Sequence, residues 1–96
     1  MDVDEVRHVS HAVFGNGYLV EVGAAIATHP KLQVTQKAIV AATSLDKGLV
    51  NVAVGRLEKG RLLQRLPREG REQPFLRVES VLWQAFVDFQ DELRRA

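Results

Sequence analysis

Asn51 stands among Lys47, Arg56 and Lys59, while the other positions expected on its face, Gly48, Val52 and Gly55, carry no polar side chain. A side-chain amide donates and accepts at once, which matches the edge of adenine in the major groove. Cations at helical spacing around it are suited to phosphate. Downstream, Arg65, Arg68, Arg71 and Arg77 form a second basic group, and upstream Gln36 and Lys37 open a stretch with helix-forming character. Backbone N–H groups at a helix start would add to phosphate binding there. The chemistry these residues offer is recognition of double-stranded DNA. If four to six of the cations contact phosphate, log K should fall with log salt at a slope of about −4 to −5.

Other chemistries find little in the sequence. There is no cysteine, which removes disulfides, thiolate metal sites and a thiol nucleophile together. His8 and His11 are spaced i, i+3 with Asp4 one turn earlier, and Asp88, Asp91 and Glu92 lie near the other end without a histidine. Surface histidines are the expectation, with no metal and no cofactor. His29 precedes Pro30 with no nucleophile at a meaningful spacing, so catalysis is not expected. Gly15-Asn16-Gly17 lacks the Gly-Lys-Ser/Thr ending of a phosphate loop and reads as a turn.

The formal charge of +1 over 96 residues conceals a segregation. Residues 1–30 set Arg7 against Asp2, Asp4, Glu5 and Glu21, for a net −3. Residues 31–77 hold ten cations and four anions, a net +6, and residues 78–96 return to −2. Local potential governs polyanion binding, so a basic centre between acidic ends points to an anionic partner. No apolar run approaches the ~18 to 20 residues that span a bilayer, and the acidic start is the reverse of a signal peptide. The expected location is the cytoplasm, with no membrane association.

These residues need elements to hold them. Val6, Val9, Ala12 and Val13 recur at helical spacing and predict a leading helix over 1–13. Asn16 is the expected N-cap of a helix running to about Thr28, with Leu19, Val22 and Ile26 inward, ended by Pro30. Thr35 should cap the next helix, with Ile39 and Ala42 inward, and Leu45 should plug the turn. Asp46 then caps a helix from Lys47 to about Lys59 on Val50, Val54 and Leu57, with Gly60 as its C-terminal residue. After Gly60 the period shortens: residues 62–66 and 75–78 predict two strands around a charged tip. Ser80 should cap a last helix carrying Leu82, Trp83, Phe86, Val87, Phe89 and Leu93.

Two helices across a tight turn followed by a basic hairpin is the order of a winged helix-turn-helix. The run Thr35-Gln36-Lys37-Ala38-Ile39-Val40-Ala41-Ala42 resembles the first helix of the MarR/ArsR-type winged-helix transcription regulators. Residues 50–65, and above all the Arg-Leu-Glu-x-x-x-Leu-Leu-x-Arg phrase at 56–65, resemble their recognition helix entering the wing. The resemblance covers residues 14–79 or so. The chain departs from it where Ser44 and Asp46 fill a turn that often holds glycine, and where Val40 replaces a small alanine. The resemblance implies a dimer built from terminal helices.

The expectation is therefore a mainly α, α+β protein with a small β-hairpin: one winged-helix domain over 1–96, with terminal dimerisation helices. Its parts are the leading helix at 1–13, the helix-turn-helix at 35–60, the wing at 62–78 and a C-terminal helix at 80–95. DNA contact is expected from Gln36, Lys37, Lys47, Gly48, Asn51, Val52, Arg56, Lys59, Arg65, Arg68 and Arg71. A homodimer interface is expected from Val6, Val9, Leu82, Trp83, Phe86, Phe89 and Leu93. The function expected is that of a sequence-specific transcriptional regulator, a repressor by analogy. The alternative is a winged helix that docks a protein, without binding DNA, through the flat strip of Gly48, Asn51, Val52 and Gly55 with an exposed Leu49 beside it. Nothing in the sequence identifies an effector.

Overall fold

The structure, a computed structural model, describes residues 3–95. Within them five helices and three short strands follow in the order α1 (Val3–Phe14), α2 (Leu19–Thr28), β1 (Gln33–Thr35), α3 (Gln36–Thr43), α4 (Lys47–Lys59), β2 (Leu63–Arg65), β3 (Pro74–Arg77) and α5 (Val81–Arg95). The first two residues of the expected leading helix lie outside the described range.

Helix α2 is the centre of the core. Its sequence is apolar nearly all round, and Leu19, Val20, Val22, Gly23, Ala24 and Ile26 are all buried. A helix of this kind must be covered on several sides, and α1, α3, α4 and α5 all pack on it. It begins at Leu19, two residues later than an N-cap at Asn16 predicts. The Asn16 side chain accepts from the N–H of Tyr18 at 2.8 Å and shapes the turn, with Gly15 in the left-handed region at φ 76°. The early N–H of Val20 goes instead to the hydroxyl of Ser10 on α1, at 3.2 Å, and that hydroxyl donates to the Asn16 carbonyl at 2.7 Å. Ser10 is fully buried, so α1 supplies the capping group that the local sequence does not.

The other caps fall where their residue types put them. Thr35 Oγ1 accepts from the N–H of Ala38 at 3.1 Å, Asp46 Oδ2 from Gly48 at 3.0 Å, and Ser80 Oγ from Leu82 at 3.1 Å. The end of α4 differs from expectation. Gly60 has an ordinary negative φ, and Arg61 takes the left-handed position at φ 62°. The N–H groups of Arg61 and Leu62 then close on the carbonyls of Glu58 and Leu57 at 3.0 and 2.9 Å, the paired bonds of a Schellman ending.

The wing is a three-stranded antiparallel sheet in the order β1-β3-β2, rather than the expected two-stranded hairpin alone. Val34 sits opposite Phe75, and Gln64 opposite Leu76. β1 therefore ties the start of α3 to the base of the wing. Ala42, expected inward, is exposed, while Ile39 and Leu45 are buried.

The last helix corrects the expected subunit interface. Trp83, Phe86 and Leu93 are buried within this chain, as is Val6 on α1. Phe86 lies over Gly23 of α2, Trp83 Nε1 donates to the Val78 carbonyl at 2.7 Å, and Leu93 joins Val6 and Val20 in a second small cluster. The same apolar stripe that would suit a partner is covered by the chain's own α2.

Candidate nucleic-acid interface

Helices α3 and α4 turn through 117° at a three-residue break, within the range of a helix-turn-helix. The turn is held by the buried side chain of Leu45 and by Ser44, which takes the left-handed region at φ 58°. No single helix among the described residues is long and apolar enough to cross a membrane. The bent pair α3 and α4 meets that test only by length and composition.

The outer side of α4 presents Lys47, Gly48, Asn51, Val52 and Lys59, all exposed. Val52 is 58% exposed, with its apolar side chain in solvent. Beside it, a Cβ on Gly55 would meet nothing within 4 Å, so no neighbour inside the chain requires glycine there. Arg56 does not join this strip in the expected way. Its Nη1 donates to the carbonyl of Phe14 at 3.2 Å, and its guanidinium lies over Gly15, so it braces the α1–α2 turn.

The wing is aimed by contacts that neither the motif nor the spacing signals. Gln73 is 8% exposed, and its Nε2 donates to the carbonyls of Leu66 and Pro74 at 2.7 and 3.0 Å. Its own carbonyl accepts from the N–H of Gln36 at 3.2 Å, locking the wing to the first residue of α3. Arg65 is fixed against α4 by Glu58, through bonds of 2.8 and 3.1 Å, and lies 5.1 Å from the centroid of the Phe75 ring. The hydrogen bond to Glu58 raises the Arg65 pKa further above its ordinary value. Beyond, Glu69 and Glu72 exchange backbone bonds of 3.1 and 3.0 Å, Gly70 turns the chain at φ 62°, and Arg68 donates to the Arg71 carbonyl at 3.2 Å. Local rules could not find Gln73 or Glu58, because the contacts that aim the wing, to Leu66 and Gln36 from Gln73 and to Arg65 from Glu58, join residues 7 or more positions apart.

Helix and wing enclose two adjoining clefts of about 400 and 410 Å³. Gln36, Lys47 and Gln73 line both. Lys37 and Arg71 line the first, and Asn51, Arg65 and Arg68 the second. Glu72 is the one acidic side chain in either lining. The folded chain thus brings together Gln36, Lys37, Lys47, Asn51, Arg65, Arg68 and Arg71. Lys59 lies at the far end of α4, and Arg56 is directed elsewhere. Within the clefts Gln36 Nε2 donates to Asn51 Oδ1.

Away from this surface, Arg7 grips Glu21 at 2.6 Å, its guanidinium 5.0 Å from the centroid of the Tyr18 ring. The bond to Glu21 raises the Arg7 pKa, with burial opposing it. Among the described residues no three His, Asp or Glu side chains gather as a metal-binding group.

A model of the MarR family matches residues 24–72, from α2 to the wing tip. Three solved structures share the fold. MepR, a transcription regulator of the Staphylococcus aureus multidrug efflux pump MepA, aligns at 19% identity with a TM-score of 0.67, over 97% of this chain and 68% of that one. BpsR of Bordetella bronchiseptica, whose DNA binding is regulated by 6-hydroxynicotinic acid, aligns at 19% identity and a TM-score of 0.62, over 79% and 56%. The type III plasmid segregation protein TubR aligns at 15% and 0.50, over 96% and 87%. At these identities the likeness is one of fold. No curated protein matches the sequence.

Proposed function

This chain belongs to the MarR family, and from that premise we propose that it is a DNA-binding transcription regulator that acts as a homodimeric repressor. The observation that carries the reading is the pair of clefts between α4 and the wing, lined by Lys37, Lys47, Arg65, Arg68 and Arg71 against a single Glu72. The outer side of α4 enters the major groove, where Asn51 meets a base edge, Val52 offers an apolar contact to a thymine methyl, and Gly48 and Gly55 let the backbone approach. Lys37, at the start of α3, and the wing arginines take phosphates on either side. Arg65, already turned toward Glu58, contributes a weaker share.

The dimer uses what folding leaves exposed on the terminal helices. Val3 and Val13 on α1 are 46% and 60% exposed, and Val81 and Leu82 on α5 are 86% and 42% exposed. Val9 and Phe89 are half-buried beside them. A two-fold pair would set its α4 helices about one DNA turn apart, and occupancy of a promoter would exclude polymerase.

Sedimentation of the protein with and without a labelled duplex tests both parts. The reading expects a dimer alone and one dimer per duplex at low salt. A monomer that sediments apart from the duplex at low salt contradicts it.

A further inference from the structure

Gln36 and Asn51 come from different helices, one at the first residue of α3 and one in the middle of α4, yet their side-chain amides are bonded to each other, Nε2 of Gln36 donating to Oδ1 of Asn51. Neither Asn51 Nδ2 nor Gln36 Oε1 has a hydrogen-bond partner among the described residues. Gln36 is also held through its backbone, whose N–H donates to the carbonyl of the buried Gln73. Around Asn51, one turn to either side on α4, Gly48 and Gly55 carry no side chain that competes for the same space.

We infer that Gln36 is a specificity-determining residue of the DNA interface and forms one reading unit with Asn51. This rests on the DNA-binding function proposed above. It replaces the sequence expectation that Gln36 serves the phosphate backbone. The reason is donor and acceptor supply. An amide has one carbonyl and one NH2 group, and the bond between the two residues occupies a lone pair of Asn51 and a proton of Gln36. The free Nδ2 of Asn51 donates, and the free Oε1 of Gln36 accepts. Adenine presents the complementary pair in the major groove, N7 as acceptor and N6–H as donor. The bond between the amides fixes their orientation before DNA arrives, which lowers the cost of ordering two exposed side chains on binding. The unit therefore reads one adenine in each half-site.

The test is selection from a random-sequence duplex pool by the full chain and by Gln36→Ala, Gln36→Glu, Asn51→Ala and the double alanine variant. Thermal melts verify that each is folded. Glutamate keeps the shape of Gln36 but cannot donate to Asn51 Oδ1. The wild type should enrich adenine at one position per half-site, and each single variant should lose about tenfold of that preference. The double variant should lose no more than either alanine variant, and the salt slope should stay unchanged in the alanine variants, which alter no charge. Uniform weakening with a shallower salt slope in Gln36→Ala, additive losses in the double variant, a glutamate variant that reads like wild type, or a different base at the Asn51-dependent position would overturn the pair while leaving DNA binding intact. A wild-type protein that binds no duplex at low salt removes both inferences at once.

Discussion

A Cβ placed on Gly23 would stand 2.6 Å from Cδ2 of Phe86, so α2 and α5 meet where one helix has no side chain and the other lays down its ring. That approach also lets Phe86 reach Phe14, with ring centroids 5.8 Å apart and edge to face. Gly23→Ala should therefore destabilise the fold by about 1–3 kcal/mol despite alanine's better helix propensity. Thermal denaturation should register this as a drop of roughly 5–20 °C. A melting temperature at or above wild type would mean that the ring yields freely and that this contact does not set the packing of α5.

Gly55 predicts the reverse. It lies inside α4 with open space where its side chain would be, so Gly55→Ala should stabilise the protein by about 1 kcal/mol. Affinity for DNA should nevertheless fall several-fold, because the added methyl occupies the space that the groove needs. Undiminished affinity in the stabilised variant would show that nothing approaches α4 there.

Lys47 and Arg56 separate a phosphate contact from an internal brace. Lys47 lines both clefts, and Lys47→Ala should make the slope of log K against log salt shallower by about 0.9 for each subunit bound. Arg56 donates to the Phe14 carbonyl, so Arg56→Ala should leave the slope unchanged and loosen the α1–α2 turn, seen as faster amide exchange at residues 15–17. Equal slope changes in the two variants would return Arg56 to the DNA surface.

Ser44 holds a positive φ of 58° in the turn between α3 and α4, a region that costs a side-chain-bearing residue about 1–2 kcal/mol. Ser44→Gly should raise the melting temperature by a few degrees, offset in part by the greater freedom of glycine when unfolded. A lower melting temperature would mean that the serine side chain contributes more than its backbone costs.

What the sequence made legible was local. α4 could be bounded from Asp46 and the spacing of Val50, Val54 and Leu57 because a cap and a buried face are written within four residues of each other. β1 could not: three residues, Gln33 to Thr35, gain strand character only by pairing with Pro74 to Leu76 far along the chain. The α2 cap was hidden for the same reason, since Ser10 sits on the preceding helix. The stripe on α5 was visible, but an amphipathic face looks alike whether the chain's own α2 or a second subunit covers it. At the candidate site, the cationic residues could be named from composition and order. That Arg56 faces the α1–α2 turn, and that Gln36 faces Asn51, are properties of the assembled helices.

Whether the protein is a dimeric DNA-binding regulator is decided by titration of a fluorescent random-sequence duplex pool with the purified protein at two salt concentrations, with the bound fraction sequenced. Binding by the dimer should weaken with salt at a slope of about −7 to −9, from four to five phosphate-contacting cations in each subunit, and the bound fraction should be enriched in a two-fold symmetric motif with half-sites about one helical turn apart. A folded protein that leaves the pool unbound at low salt, or binds it without salt dependence, would contradict the account.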